Sequence, residues 1–334
     1  MKYRILEKNQ SKDAKRLQCL YNNAMKKLKK WSLGFLSFIL LFLGATFIFH
    51  RISLEKEQAS LTPVGQQVLV NGHQMNVYVE GDGPETIVVL SGAGIASPIL
   101  DFKNVSDSLS KKYKVVIVER AGYGYSDDSN QSRDVMEILS ETRQALSKAN
   151  VTGLFIILSH SMASLESLAW QEKYPDEVKS LIGLDWALPS SYEDLNDNQA
   201  LRTVAYWSSK IGLLRFFPES FYIKDPTLTE SERQQYKLLA YKQLMSQAML
   251  HESRLVKENA KKVPSSINPK IPTLLMVSNG EGTSFSQSEW QHYAEKFAYD
   301  QSNVQVVYMD APHDLYHYQN HEVVTRIEEF LENN

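Results

Sequence analysis

The stretch LFIILSHSMASLESLAW, residues 154–170, ends an apolar run in two serines around a histidine and passes directly into a helix-like pattern. A serine carried on a sharp strand-to-helix turn needs small neighbours two residues before and after it, because the tight backbone brings them into contact. Ser161 has Ser159 and Ala163 at those places, whereas Ser159 would have Ile157, which is too bulky. Ser161 is therefore the candidate nucleophile. The ordinary alternative is that it caps the following helix.

A serine hydroxyl attacks a carbonyl only if a base takes its proton and a carboxylate orients that base. His313 follows the apolar run VQVVYM and precedes the last helical pattern, so it falls in a loop at the strand end where Ser161 also emerges. His160, His251, His317 and His321 fit that position less well. For the acid, Glu281 lies a few residues after TLLMV and Asp185 directly after VKSLIGL. Strand-end geometry and chain order favour Glu281, with Asp185 as the alternative. The developing oxyanion needs two backbone donors. One is the N–H of Met162, which follows the nucleophile. The second is expected from SGAGIASP, residues 91–98, with Ala93 as the donor, because Gly92 and Gly94 let that backbone approach a substrate.

Elements that position these residues are legible as short apolar runs alternating with helical patterns: TIVVL (86–90), YKVVIVE (113–119), LFIIL (154–158), VKSLIGL (178–184), TLLMV (273–277) and VQVVYM (304–309). Continuous apolar strands alternating with amphipathic helices predict an α/β fold with a mostly parallel central sheet flanked by helices on both faces. Asn71-Gly72 between VLV and MNVYV predicts a hairpin. Residues 187–268 separate strands six and seven by far more than a connecting loop needs. Their helical spacing predicts a cap over the carboxyl edge of the sheet, where open α/β sheets bind ligands.

Four stretches together resemble the α/β-hydrolase fold superfamily over residues 66–334: SGAGIASP after a strand, ERAGYGYSD (119–127), the elbow SHSMA (159–163) and APHDLYHYQNHEVVTRIEEFL (311–331). The order Ser161, Glu281, His313 is the family's order of nucleophile, acid and base. Four positions depart from the family's pattern: Ser159 and Ala163 where glycines are common, Ser91 where His-Gly is frequent, and Glu281 where aspartate prevails. The resemblance implies a serine hydrolase acting on an acyl ester, with no metal or organic cofactor. Serine at 161 sets the chain apart from the dehalogenase and epoxide hydrolase branches, whose nucleophile is an aspartate. A proline-type aminopeptidase is the rival within the family. It would need an acidic group in the cap for the substrate's amine, and Glu193, Asp194, Glu219 and Glu230 are available without a clear pattern. A catalytically silent, tethered binding module is the rival outside enzymes.

The net charge of −3 over 334 residues gives no reason to expect nucleic acid as a partner, but it conceals an asymmetry. Residues 1–30 carry ten Lys and Arg against Glu7 and Asp13, a head of +8, which leaves −11 for the rest. WSLGFLSFILLFLGATFIFH, residues 31–50, follows at once with no ionisable side chain before His50. About 20 such residues in a helix span a hydrocarbon core of roughly 30 Å. The basic flank predicts a cytoplasmic N-terminus and an extracytoplasmic hydrolase domain. A signal peptide is the competing reading, which the long basic head and Leu43 before Ala45 disfavour. Residues 51–65 read as a polar stalk. The single cysteine, Cys19, lies in the head, so the predicted exported part must fold without a disulfide. In the cap, Trp207, Phe216, Phe217 and Tyr222 offer either an apolar lid over the site or ordinary packing between cap helices.

Overall fold

The structure is a computed structural model that describes residues 2–196, 198–218 and 227–334, with side chains from residue 16 except that of Cys19. Glu219 and Tyr222 lie outside the described residues. The chain divides into a first unit ending at Ser53 and a second from Leu54 to Asn334.

A helix, Lys2–Gln58, carries the basic head and the apolar run. Its Arg16–Gln58 portion is long and apolar enough to cross a membrane, and Leu33, Phe38 and Leu41 on it are exposed. The polar residues 51–58, which read as stalk, continue the helical conformation.

In the second unit eight strands form one sheet: β1 (Gln66–Val70), β2 (His73–Glu80), β3 (Thr86–Leu90), β4 (Lys114–Glu119), β5 (Phe155–His160), β6 (Val178–Leu184), β7 (Thr273–Val277) and β8 (Val304–Tyr308). Their order is β1-β2-β4-β3-β5-β6-β7-β8. β1 and β2 pair antiparallel, as do β2 and β4, and every other pairing is parallel. The β1–β2 hairpin turns at Asn71 and Gly72, both at positive φ (48° and 89°), the conformation that Asn-Gly accepts at least cost.

Burial on both faces explains the continuous apolar strands. Val88, Val116, Ile157 and Leu275 enter one core with Leu139, Leu168, Trp170 and Trp290 from the helices Val135–Lys148, Ser164–Lys173 and Gln287–Ala298. Their strand neighbours Ile87, Ile117, Ile156 and Leu274 enter the other, with Phe102, Val105, Ile327 and Phe330 from the 98–109 segment and the helix Asn320–Glu332. Each such side chain removed from water stabilises the fold by about 1.5–3 kcal/mol. Between β6 and β7 the chain forms the helices Ser191–Asp194, Gln199–Ile211, Glu230–Gln243 and Gln247–Lys262. The last carries a serine N-cap, Ser246 Oγ accepting from the Met249 N–H, and the third a Thr229/Glu232 capping box.

Candidate active site

β5 is the central strand of the sheet and ends in Ser159 and His160. Ser161 follows at φ 53°, a left-handed conformation that a non-glycine residue adopts only when its surroundings enforce it. A short 3-10 turn, Ser161–Ala163, then leads into the helix Ser164–Lys173. This sharp reversal lifts the Ser161 side chain to the carboxyl edge of the sheet. Ser159 does something else. Its Oγ is fully buried, accepts from Trp186 Nε1 at 2.8 Å and from Ser167 Oγ at 2.7 Å, and so fastens the strand to its neighbours.

Ser161 Oγ lies 2.8 Å from His313 Nε2. The other ring nitrogen, Nδ1, lies 2.5 Å from Asp185 Oδ2. Asp185 is completely buried, and its second oxygen accepts from the Ser278 N–H at 2.7 Å and from Trp290 Nε1 at 2.8 Å. The preference for Glu281 is thereby corrected: the carboxylate against His313 is that of Asp185. Asp185 directly follows β6, which lies beside β5, and is held at φ 47°. No flexible chain intervenes between strand and carboxylate. Glu281 stands four residues past β7 in a turn bounded by Gly280 and Gly282 at positive φ, and its side chain is exposed. Its contribution comes from the backbone, where its carbonyl accepts from the His313 N–H at 2.7 Å. Gly282 matters for the same approach, since a Cβ there would stand 3.2 Å from His313 Cβ.

His160 packs beneath the site. Its ring centroid is 4.7 Å from that of His313, and its Nε2 lies 3.3 Å from the His313 carbonyl. Burial, reinforced by neighbouring His313, pushes its pKa well below the usual histidine value, so the ring is neutral.

The loop after β3 comes close to Ser161 because residue 92 is glycine. A Cβ there would lie 2.7 Å from His160 Nδ1 and 3.0 Å from Ser161 Cβ. Arg120 fixes the loop from behind: Nη1 donates to the Ser91 carbonyl at 2.9 Å and Nη2 to the Gly92 carbonyl at 3.2 Å. In a trans peptide the carbonyl and the following N–H point in opposite directions. The hold on the Gly92 carbonyl therefore turns the Ala93 N–H away from Arg120. Ala93 and Met162 line the same cleft as Ser161 and His313.

Arg120 was visible in the sequence only as part of ERAGYGYSD, and its placement comes from a buried ionic group. Glu166 and Glu252 stand 3.7 and 3.5 Å from its guanidinium, which also lies over the Tyr123 ring at 4.6 Å. Glu252 belongs to the helix Gln247–Lys262 and bonds Tyr123 Oη at 2.6 Å. Glu119 is structural. Its buried carboxylate accepts from the Tyr125 N–H at 2.8 Å and from Asn76 Nδ2 at 3.0 Å, and a Cβ at Gly124 would collide with it. Burial outweighs these donors and pushes its pKa up to about 7.

The cleft has a volume of about 190 Å³. Its apolar wall is formed by Met162, Tyr192, Leu195, Val256, Phe285 and Trp290, with hydroxyls from Ser191, Ser253 and Thr283. Trp207, Phe216 and Phe217, weighed from the sequence as a lid or as cap packing, do not line it and are all exposed. Among the described residues no Asp or Glu side chain lines it. Asp194 instead accepts from Tyr293 Oη, and Glu230 pairs with Arg233.

Comparison with known proteins agrees with this architecture. Residues 86–311 match the family model for the alpha/beta hydrolase fold. The protein YbdG of Bacillus subtilis is 33% identical over 317 residues, covering 92% of this chain and 97% of YbdG. The 2-(acetamidomethylene)succinate hydrolase of Mesorhizobium japonicum is 25% identical over 123 residues, 37% of this chain and 43% of that enzyme. Among solved structures, a thermophilic esterase from Thermogutta terrifontis superposes with a TM-score of 0.59 at 19% identity, over 80% of this chain and 99% of that one. An epoxide hydrolase from Bacillus megaterium gives 0.62 at 19% identity, over 80% and 100%. These structural likenesses concern the fold alone. The chain belongs to the α/β-hydrolase fold family.

Proposed function

We propose that the protein is a serine hydrolase of carboxylic esters, held at a membrane by its N-terminal apolar helix with the hydrolase domain outside the cytoplasm. The observation that carries the chemistry is the alignment of Ser161 Oγ, His313 and Asp185 through contacts of 2.8 and 2.5 Å. In this reading His313 Nε2 takes the Ser161 proton as Oγ bonds to the ester carbonyl carbon. Asp185 keeps the other ring proton on Nδ1 and balances the imidazolium that forms. The carbonyl oxygen, now an anion, accepts from the N–H groups of Met162 and Ala93. Collapse breaks the bond to the alcohol oxygen, which leaves with the proton from His313 Nε2. Water then attacks the acyl-enzyme by the same route, releasing the acid and restoring Ser161.

The cleft lining favours esters over peptides with a free N-terminus. An aminopeptidase needs a carboxylate for the substrate's amine, and none lines the cleft among the described residues. The intact set of contacts also speaks against a silent module, for which nothing would hold a buried aspartate, a histidine and a serine in register. The test uses the detergent-solubilised full chain, a fluorophosphonate probe and short p-nitrophenyl esters. Labelling and turnover that vanish in Ser161→Ala but persist in Ser159→Ala support the reading. A folded wild-type protein that neither labels nor turns over rules it out.

A further inference from the structure

The cap carries an apolar face that covers neither the cleft nor the core. On the helix Gln199–Ile211, Leu201, Val204 and Trp207 recur at intervals of three and are 63, 61 and 57% exposed, and Phe217 shortly beyond is 64% exposed. The opposite side of the helix faces the protein: Ser209 is buried and bonds the Leu244 carbonyl, and Thr203 takes a bond from Arg254. This concentration is local. Beyond residue 58, nine large apolar residues other than tyrosines are exposed among the described ones, and five of them fall between 201 and 217.

The same part of the cap is fastened to the chain just past the apolar run. Arg215 grips Glu57 with two parallel hydrogen bonds of 2.7 and 2.6 Å, and its guanidinium lies 4.2 Å over the Tyr241 ring. Gln235, on the helix Glu230–Gln243, accepts from the Thr62 N–H and donates to the Ser60 carbonyl, each at 2.9 Å. A bidentate arginine–carboxylate pair constrains geometry as well as distance. Glu57 follows His50, the last residue of the apolar run, by seven residues, at most about 25 Å of fully extended chain. Phe217 lies two residues from Arg215. The cap face is thus leashed to the point where residues 31–50 end.

We infer that the exposed helix face of Leu201, Val204 and Trp207, together with Phe217 beyond the helix, docks on the surface of the bilayer that holds this chain's own apolar helix, an inference that rests on reading residues 31–50 as a membrane anchor. A helix with a tryptophan and aliphatic side chains on one face and polar groups on the other lies in the plane of a lipid interface, its apolar side chains entering the headgroup boundary. The tether makes the contact intramolecular, so modest apolar area suffices where a free domain would dissociate.

The experiment uses the full chain with Cys19→Ser, a single new cysteine at Val204→Cys, Phe217→Cys or Tyr299→Cys, and a nitrobenzoxadiazole label. Tyr299 is 77% exposed on the helix-end turn after Ala298 and serves as the control. Each protein is reconstituted in phosphatidylcholine/phosphatidylglycerol vesicles with and without a shallow spin-labelled lipid. The expected result is that labels at 204 and 217 lose about half their fluorescence to the spin label and that at 299 nearly none, as shallow burial at the headgroup boundary requires. Protein that floats with the vesicles but shows no quenching at 204 or 217 overturns the inference and leaves the anchor intact. A spectrum that shifts with protein-to-lipid ratio and ignores the spin label identifies a second copy as the occupant, and also overturns it. Protein that does not float with vesicles removes the anchor reading itself, and the inference falls with it.

Discussion

Trp290 Nε1 donates to Oδ1 of Asp185 at 2.8 Å, on the carboxylate whose Oδ2 lies 2.5 Å from His313 Nδ1. The indole comes from the helix Gln287–Ala298, and the Ser278 N–H, just past β7, adds a further donor at 2.7 Å. Burial strips a carboxylate of its hydration, and hydrogen bonds from fixed donors replace it while fixing its direction. Under the proposed mechanism Trp290 is a positioning residue that acts on His313 through Asp185.

Replacing Trp290 by Phe keeps the ring and removes the N–H. A hydrogen bond to a charged group is worth about 1.5–3 kcal/mol, only part of which differs between ground and transition state. The expected outcome is a fall in kcat of about tenfold with KM little changed, measured with p-nitrophenyl esters. An unchanged kcat would show that the Ser278 N–H alone orients the acid.

Neutralising Asp185 is a harsher test. Asp185→Asn presents an amide to His313 Nδ1 and disturbs the tautomer, which in such triads costs about 10³–10⁴ in kcat. Glu281→Gln leaves intact the backbone carbonyl that holds the His313 N–H, so activity within about threefold of wild type is expected, as for a surface change. The reverse pattern would restore Glu281 as the acid.

The strands and the sharp strand-to-helix turn that carries Ser161 were legible because they rest on local rules. TIVVL, VKSLIGL and TLLMV coincide with β3, β6 and β7, since continuous apolar runs of that length suit strands buried on both faces. Ser161 could be told from Ser159 by the size of Ile157. The acid could not be read in the same way. Asp185 and Glu281 both follow a strand and both precede His313, and only the turns at Gly280 and Gly282 decide which carboxylate faces inward. The Arg120–Glu252 contact was equally hidden, because it joins residues 132 positions apart through burial. Trp207 and Phe217 carried an ambiguous signal: helical spacing marks an apolar face but not what it meets.

Glu119 gives the fold a pH dependence. Burial pushes its pKa from 4.5 up to about 7, so between those values the folded protein keeps a proton that the unfolded chain has released. Its contribution is fully present below about pH 4.5 and is lost as pH rises through about 7, amounting to about 3 kcal/mol at most. Glu119→Gln has no proton to lose. The fall in Tm between pH 5 and pH 8 should therefore be smaller, by a few degrees, in the variant than in wild type, as read by scanning calorimetry. Equal falls would mean that Glu119 titrates normally.

Arg120 links the cap to the loop after β3 that carries the proposed oxyanion donor, and its chemistry permits a selective test. Its planar fork donates to two successive carbonyls, Ser91 and Gly92, while facing Glu252 on the helix Gln247–Lys262. Lysine keeps the charge that Glu166 and Glu252 require but, as a point donor, cannot hold both carbonyls in one plane. With the Gly92 carbonyl released, the Ala93 N–H is no longer aimed. Arg120→Lys should then lower kcat by about 10²-fold, as does loss of one oxyanion donor, with a smaller change in KM. It should slow fluorophosphonate labelling in parallel, because the phosphonyl oxygen needs the same donors. Glu252→Gln keeps both Arg120 bonds to the loop and an acceptor for Tyr123 Oη, so its labelling rate should stay closer to wild type than that of Arg120→Lys. If Arg120→Lys lowers Tm yet labels at the wild-type rate, Arg120 stabilises the fold without positioning the loop.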